Sequence, residues 1–283
     1  MRSALNLLKG SVCDTFSKRK GEMGGLSHFI DRLLQQGKYH FTTAETCSAL
    51  GSGVSTVKQA LRRLKAKGVI ATPQRGFHVV VPPEYRALGC LPAEQFIPQL
   101  MEYVGEPYHV ALLSAAQLHG AGHHRPQRFQ VMVTTPRRPI LCGEVGVEFH
   151  VRTNLEEATT VVMNTPRGHM RVASPEATAL ELVGYQRHAG GLDNVATVLA
   201  ELAESISGSQ LGNEANTVPS AWGQRLGYLL ELVGQYEKVS QLRVLVERRA
   251  RRIVPLDPAL PRTGAPRSRM WKVAINAEVE ADL

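Results

Sequence analysis

The stretch "STVKQALRRLKAKG", residues 55–68, sets polar and charged side chains at a regular interval. At 3.6 residues per turn Val57, Ala60, Leu61 and Leu64 fall on one stripe of a helix, while Ser55, Lys58, Gln59 and Arg62 fall on the opposite arc. That arc is basic and holds no carboxylate. A helix that only faces water usually mixes Glu or Asp among its cations, because opposite charges three or four positions apart stabilise it and like charges do not. Glutamine can pair with the edge of adenine and arginine with guanine in a major groove, and Lys58, Arg63 and Lys65 flank the arc where phosphates would run. Ser55, Thr56, Lys58, Gln59, Arg62, Arg63, Lys65 and, in a following turn, Arg75 are therefore the candidate contacts to double-stranded DNA.

Other residues could in principle carry chemistry. "HGAGHHRP", residues 119–126, brings His119, His123 and His124 close in sequence, but Gly120 and Gly122 interrupt any helix that would aim two of them at one metal ion, and no carboxylate lies nearby. Turn histidines without a metal are the expectation. "GSGVST", residues 51–56, lacks the lysine and the spacing of a phosphate loop. No G-x-S-x-G, H-E-x-x-H or paired-carboxylate motif occurs. Glu176 and Glu181 read as a helix cap and a solvated face, and "RRARR", residues 248–252, as a helix end stabilised at the negative pole of its dipole. No catalytic residue, metal or cofactor is expected.

The elements that must position the basic arc can be read around it. "SHFIDRLLQQG" puts Phe29, Ile30, Leu33 and Leu34 on one face and stops at Gly37. A short "YHF" leads to "TTAETCSALG", with Thr42 or Thr43 as N-cap, Ala44, Cys47 and Leu50 inward, and Gly51 as a stop. Gly51, Ser52 and Gly53 let the chain reverse into the basic helix, which ends at Gly68. "VIATP" and "FHVVV" around "QRG" then read as a hairpin carrying Arg75 at its tip. Helix, short strand, helix, turn, helix, hairpin is the order of a winged helix-turn-helix.

Prolines 82, 83 and 92 mark a linker into a second domain. There "AEQFIPQLMEYVG" and "PYHVALLSAAQLHG" read as helices, the latter burying Val110, Leu113, Ala116 and Leu118; "FQVMVTT", "GVEFHVRT", "TTVVMN" and "HMRVAS" read as four strands. From Ser174, an N-cap followed by Pro175, four helices and one late strand, "RMWKVAIN", complete the chain. The expected class is α+β: an extension over 1–26 that is partly ordered, a winged helix-turn-helix domain over 27–82, and a larger mixed α+β domain over 83–283. Met23 offers an alternative start that would make the first 22 residues dispensable.

A length of 283 residues accommodates two cores, and 43% hydrophobic with 20% charged residues is the composition of a water-soluble globular chain. No apolar run approaches the roughly 20 residues of a membrane span, and the amino terminus lacks a signal-peptide core, so cytoplasmic residence is expected. Cys13, Cys47, Cys90 and Cys142 are scattered and read as free thiols. The net charge of +8 is unevenly placed: residues 1–82 hold thirteen Lys or Arg against four acids, a net of +9, and the remaining 201 residues hold twenty against twenty-one. The excess positive charge that would favour a polyanion through counterion release thus lies in the first third.

The segments "YHVALLSAAQLHGAGHHRPQRFQVMV", "PEATALELVGYQRHAGGLDNVATVLAELAE", "QRLGYLLELVG" and "WKVAINAEVEADL" resemble the C-terminal antitoxin domain of AbiEi proteins, the antitoxins of type IV abortive-infection toxin–antitoxin systems. The preceding "FTTAETCSALGSGVSTVKQALRRLKAKGVIATPQRGFHVVVP" resembles their winged DNA-binding domain, and together the resemblance covers roughly residues 27 to 283. It implies a non-enzymatic protein that binds inverted repeats in its own promoter to repress its operon. It also implies that the second domain antagonises a cognate nucleotidyltransferase toxin without a stable complex. The alternative is a stand-alone winged-helix regulator whose second domain senses a small ligand.

Overall fold

The computed structural model describes residues 25–121 and 126–282. Almost all of the expected extension, Cys13, His123 and His124 lie outside them. The chain is mixed α+β, with two compact units by contact. The first contains residues to Val104 together with Ile140–Gly146 and Thr165–Gly168, and the second contains Gly105–Pro139, Val147–Asn164 and the chain from His169 onward. The first unit thus reaches beyond Pro82, where the sequence put a boundary. Among the described residues no helix is long and apolar enough to cross a membrane.

In the first unit, α1 (25–35) buries Leu26, Phe29, Ile30 and Leu33 and stops at Gly37, whose φ is 68°. Strand β1 (His40–Thr42) runs directly into α2 (Thr43–Leu50). Thr42 caps that helix reciprocally: its hydroxyl accepts from Glu45 N at 3.0 Å, and the Glu45 carboxylate accepts from Thr42 N at 2.6 Å. Ala44, expected inward, is exposed; Thr46 takes the inward position and donates to the Thr42 carbonyl at 2.9 Å. Gly51 ends α2 in the left-handed region, at φ 57°. After it come α3 (Val54–Ala66), β2 (Ile70–Gln74) and β3 (Phe77–Val80), with the three strands in the order β1-β3-β2, all antiparallel.

The stripe Val57, Ala60 and Leu61 packs with Phe29, Ile30, Phe41, Ile70 and Val80 in one core. Each large apolar side chain so buried contributes roughly 1.5–3 kcal/mol, against a few tenths for any surface ion pair that α3 forgoes, about 0.2–0.5 kcal/mol. Burial of the stripe therefore decides which way α3 turns. In the same unit α4 (Ile97–Val104) buries Ile97, Leu100 and Met101.

The second unit is built on strands in the order β7-β5-β4-β9-β8: β4 (Tyr108–Val110), β5 (Phe129–Val133), β7 (Val145–Val151), β8 (Thr160–Thr165) and β9 (Gly168–Ala173). The short β6 (Ile140–Cys142) precedes β7 and belongs to the first unit. The four strands read from the sequence are present. The run at 107–120, read wholly as helix, is instead β4 followed by α5 (Leu112–Leu118). Val110 pairs with Val131 on one side and Val172 on the other, so ladder hydrogen bonds override local helix preference. The chain then reverses at Leu112, which takes φ 53°. The Gln130 side chain supports that corner, accepting from Leu113 N at 3.0 Å. Leu118, expected to be buried, is exposed.

Helices α6 (Pro175–Gly184), α7 (Gly191–Leu202), α8 (Gly208–Glu214), α9 (Ser220–Leu232) and α10 (Ser240–Arg249) pack into one core with Trp271 and Val273. Ser174 caps α6 by accepting from Ala177 N at 3.1 Å. Glu176 and Glu181, read as cap and solvated face, are both buried. The Glu176 carboxylate accepts from Ser207 N at 2.8 Å. The small β10 (Val254–Pro255), β11 (Arg267–Ser268) and β12 (Val273–Ala274) form a separate sheet in the order β10-β12-β11.

Around Glu181 lies a buried ion network. Its Oε1 accepts from Arg152 Nη1 at 2.8 Å and stands 2.8 Å from His109 Nε2; Arg152 Nη2 donates to Thr217 Oγ1 at 3.0 Å and lies 3.8 Å from Glu214 Oε1. Burial alone would raise the Glu181 carboxyl, but His109 and Arg152 outweigh it and hold the group below the usual carboxylate range.

Two measurements check these packing arguments. A Cβ on Gly227 would stand 2.1 Å from the Trp271 ring, so Gly227→Ala should destabilise by about 1–3 kcal/mol in denaturant unfolding; an unchanged midpoint would show that the ring yields freely. Glu181→Ala leaves Arg152 buried without its closest partner and should cost about 3–5 kcal/mol. Because the folded value is depressed, the Glu181 contribution is present above the ordinary value of 4.5 and is lost as pH falls through the lowered one. Urea midpoints of Glu181→Gln should therefore fall less steeply on acidification than those of the parent.

Candidate nucleic-acid interface

Helix α3 starts at Gly53, whose missing Cβ faces open space, and its first turn carries no acid. Its last turn carries Arg63 and Lys65, favourable at the negative end of the dipole. With Val57, Ala60 and Leu61 turned inward, Ser55, Lys58, Gln59, Arg62 and Lys65 are exposed, and Thr56 and Arg63 are half-buried. The structure thus brings seven of the eight candidate residues onto one helix. Lys58, Arg62, Arg63 and Lys65 form no ion pair among the described residues, whereas Lys38, nearby in sequence, pairs with Glu45 at 2.9 Å. Sequence reasoning passed over Val54, which is 53% exposed at the start of the same helix. Its position, three residues before Val57 and seven before Leu61, continues the apolar spacing, so the sequence carried no signal that it would be exposed.

Arg75, the eighth, stands apart from that face. It is exposed at the tip of the β2–β3 hairpin, at the opposite end of β2 from the junction with α3. The tip itself is fixed. Thr43 N donates to the Gly76 carbonyl at 2.9 Å, and Tyr103 Oη donates to the Arg75 carbonyl at 3.3 Å. Gly76 takes φ 85°, and a Cβ there would meet Tyr103 Oη at 2.5 Å, so the turn needs glycine for both reasons. Below the tip, His78 on β3 is buried between Thr43 Oγ1 at 2.9 Å and Thr72 Oγ1 at 3.0 Å. Burial, helped by Lys65, lowers it to about 4, so its ring is neutral at pH 7 and ties the start of α2 to the hairpin.

Of the histidine cluster only His119 is among the described residues. His119 Nε2 donates to the Ala173 carbonyl at 2.7 Å, His123 and His124 lie outside the described residues, and among the described residues no group of His, Cys, Asp and Glu is arranged to hold a metal ion. The Glu181 network links β4, the residue following β7, α6 and α8 with no exposed member, so it braces the fold rather than meeting a ligand. It was missed in sequence, although an acid inside "ATALELV" signals a carboxylate surrounded by apolar neighbours that must find a buried partner.

Among solved structures, the crystal structure of the RV2827C protein from Mycobacterium tuberculosis is similar over 88% of this chain and 90% of that one, with a TM-score of 0.63 and 15% identity. At that identity the likeness concerns the fold. No curated protein matches the sequence. Residues 109–232, from β4 through α9 and including every member of the Glu181 network, match the family model of the AbiEi antitoxin C-terminal domain; over this segment the chain is AbiEi-like, and the match supports an antitoxin role in a toxin–antitoxin system.

Proposed function

We propose that the chain is an AbiEi-like antitoxin whose first unit is a winged helix-turn-helix that binds inverted repeats in its own promoter and represses the operon, while its second unit antagonises a nucleotidyltransferase toxin without a stable complex and without catalysis of its own. The observation that carries the DNA reading is the outer face of α3, exposed, acid-free and holding cations that pair with no carboxylate among the described residues. Counterion release drives such a face towards phosphates, and its place after a capped helix and a glycine turn is that of a recognition helix.

In this reading Gln59 and Arg62 reach base edges, and Val54 supplies an apolar contact of the kind a thymine methyl accepts. Ser55 and Thr56 at the helix start, with Lys58, Arg63 and Lys65, hold the sugar–phosphate backbone, and Arg75 contacts the backbone or the minor groove from the rigid hairpin tip. The antitoxin half of the reading rests on the family match at 109–232.

Fluorescence anisotropy with promoter DNA tests the first half. Arg62→Ala should cost about 1–3 kcal/mol and relax base preference at one position, whereas Lys58→Ala should weaken all sequences alike and reduce the salt slope by about 1. Unchanged affinity in both variants would remove α3 from the interface. Co-expression with the adjacent toxin gene tests the second half: full-length Arg62→Ala should restore colony growth as well as the parent does, because the residue lies outside the antitoxin module. Loss of rescue with normal folding would tie the two activities together.

A further inference from the structure

Within the first unit, the chain at 88–90 crosses the chain at 142–144 backbone to backbone. Glu144 N donates to the Leu88 carbonyl at 2.8 Å. Gly89 and Gly143 both take positive φ, 67° and 61°, and a Cβ on Gly143 would stand 2.1 Å from Leu88 O and 2.9 Å from Gly89 Cα. Cys90 and Cys142 flank this crossing, one just after Gly89 and the other just before Gly143, so the antiparallel approach sets them opposite each other as free thiols. Both are buried, at 0% and 7% exposure. Close backbone approach is the geometric condition for a disulfide, which spans Cα atoms about 4.4–6.8 Å apart. We propose that Cys90 and Cys142 are a redox pair, in which a hydroperoxide oxidises Cys142 and Cys90 resolves the product to an intramolecular disulfide.

The surroundings assign the two roles. The neighbouring Cys90, with the Thr72 backbone and the Lys65 charge, outweighs burial and lowers the Cys142 thiol, which favours its thiolate. Cys142 beside it, together with burial, pushes the Cys90 thiol up, which favours its protonated form. The Cys142 thiolate attacks the peroxide: an S–O bond forms, the O–O bond breaks, and the departing oxygen takes a proton from solvent. Cys90 Sγ then attacks the sulfenic sulfur, an S–S bond forms, the S–O bond breaks, and the Cys90 proton leaves with the oxygen as water. Two thiols lose two electrons and the hydroperoxide gains them. In a reducing compartment such a bond is transient, which is the behaviour of a sensor rather than of a structural staple.

Hydrogen peroxide treatment of the full-length protein, followed by alkylation and non-reducing peptide mapping, tests the pair. The expected product is a Cys90–Cys142 peptide lighter by two hydrogens and restored by dithiothreitol, formed at a rate that rises with pH as the Cys142 thiolate grows. In Cys90→Ser, dimedone should trap a sulfenic acid at Cys142, and in Cys142→Ser it should find none at Cys90. Oxidation confined to Cys13 or Cys47, with Cys90 and Cys142 alkylated only after denaturation, would overturn the proposal. If either variant fails to fold, the peptide map of the parent protein decides alone.

Discussion

The basic face of α3 exists because the helix has only one stripe it can bury. Val57, Ala60 and Leu61 are committed to the core with Phe41, Ile70 and Val80, and every cation of the helix is turned outward or to its flank as a consequence. Rotating the helix to hide a lysine would exchange several large apolar contacts for a buried charge, a change that both hydrophobic burial and desolvation oppose. The rest of the first unit serves that orientation: the reciprocal cap at Thr42 and the left-handed Gly51 fix where α2 ends, and the neutral His78 locks the hairpin to the start of α2.

The second unit handles charge in the opposite sense. Arg152 and Glu181 are almost wholly removed from water, a cost of several kcal/mol per ion that only close pairing offsets. Thr217 and His109 add to the pairing, and Glu214 lies on its far side while accepting from Thr159 N at 3.2 Å; Glu181 Oε2 and Arg152 Nε have no hydrogen-bond partner among the described residues. The result is a polar centre joining the sheet to α6 and α8. Because all its members fall within the AbiEi-matched segment, the charges of this segment include a set that specifies the fold rather than meeting a partner.

Close backbone approach recurs as a device. Gly227 on α9 admits the Trp271 ring, Gly184 on α6 admits Trp222, and Gly89 admits Gly143. In the first two cases the missing Cβ lets an aromatic ring seal a helix. In the third it brings together the two backbones that carry Cys90 and Cys142, so the same steric allowance that packs the core elsewhere sets up the proposed redox pair here.

The features legible in sequence were those determined by near neighbours. The periodicity of residues 55–68 already separated the inward stripe from the outward arc, the cap residues Thr42 and Ser174 and the stop at Gly51 were readable from type and position, and the alternation of β-branched residues marked β5, β7, β8 and β9. Tertiary structure alone decided what depends on remote partners. Tyr108–Val110 is a strand because β5 and β9 flank it, although its own residues continue a helix-like pattern. Glu181 is buried because His109 and Arg152 arrive from 72 and 29 residues away. Cys90 is brought opposite Cys142 only because the chain crosses itself at two glycines. Helix periodicity and capping act over a few residues and leave a local trace, whereas a ladder, a buried ion pair or a thiol contact exists only once distant segments are brought together.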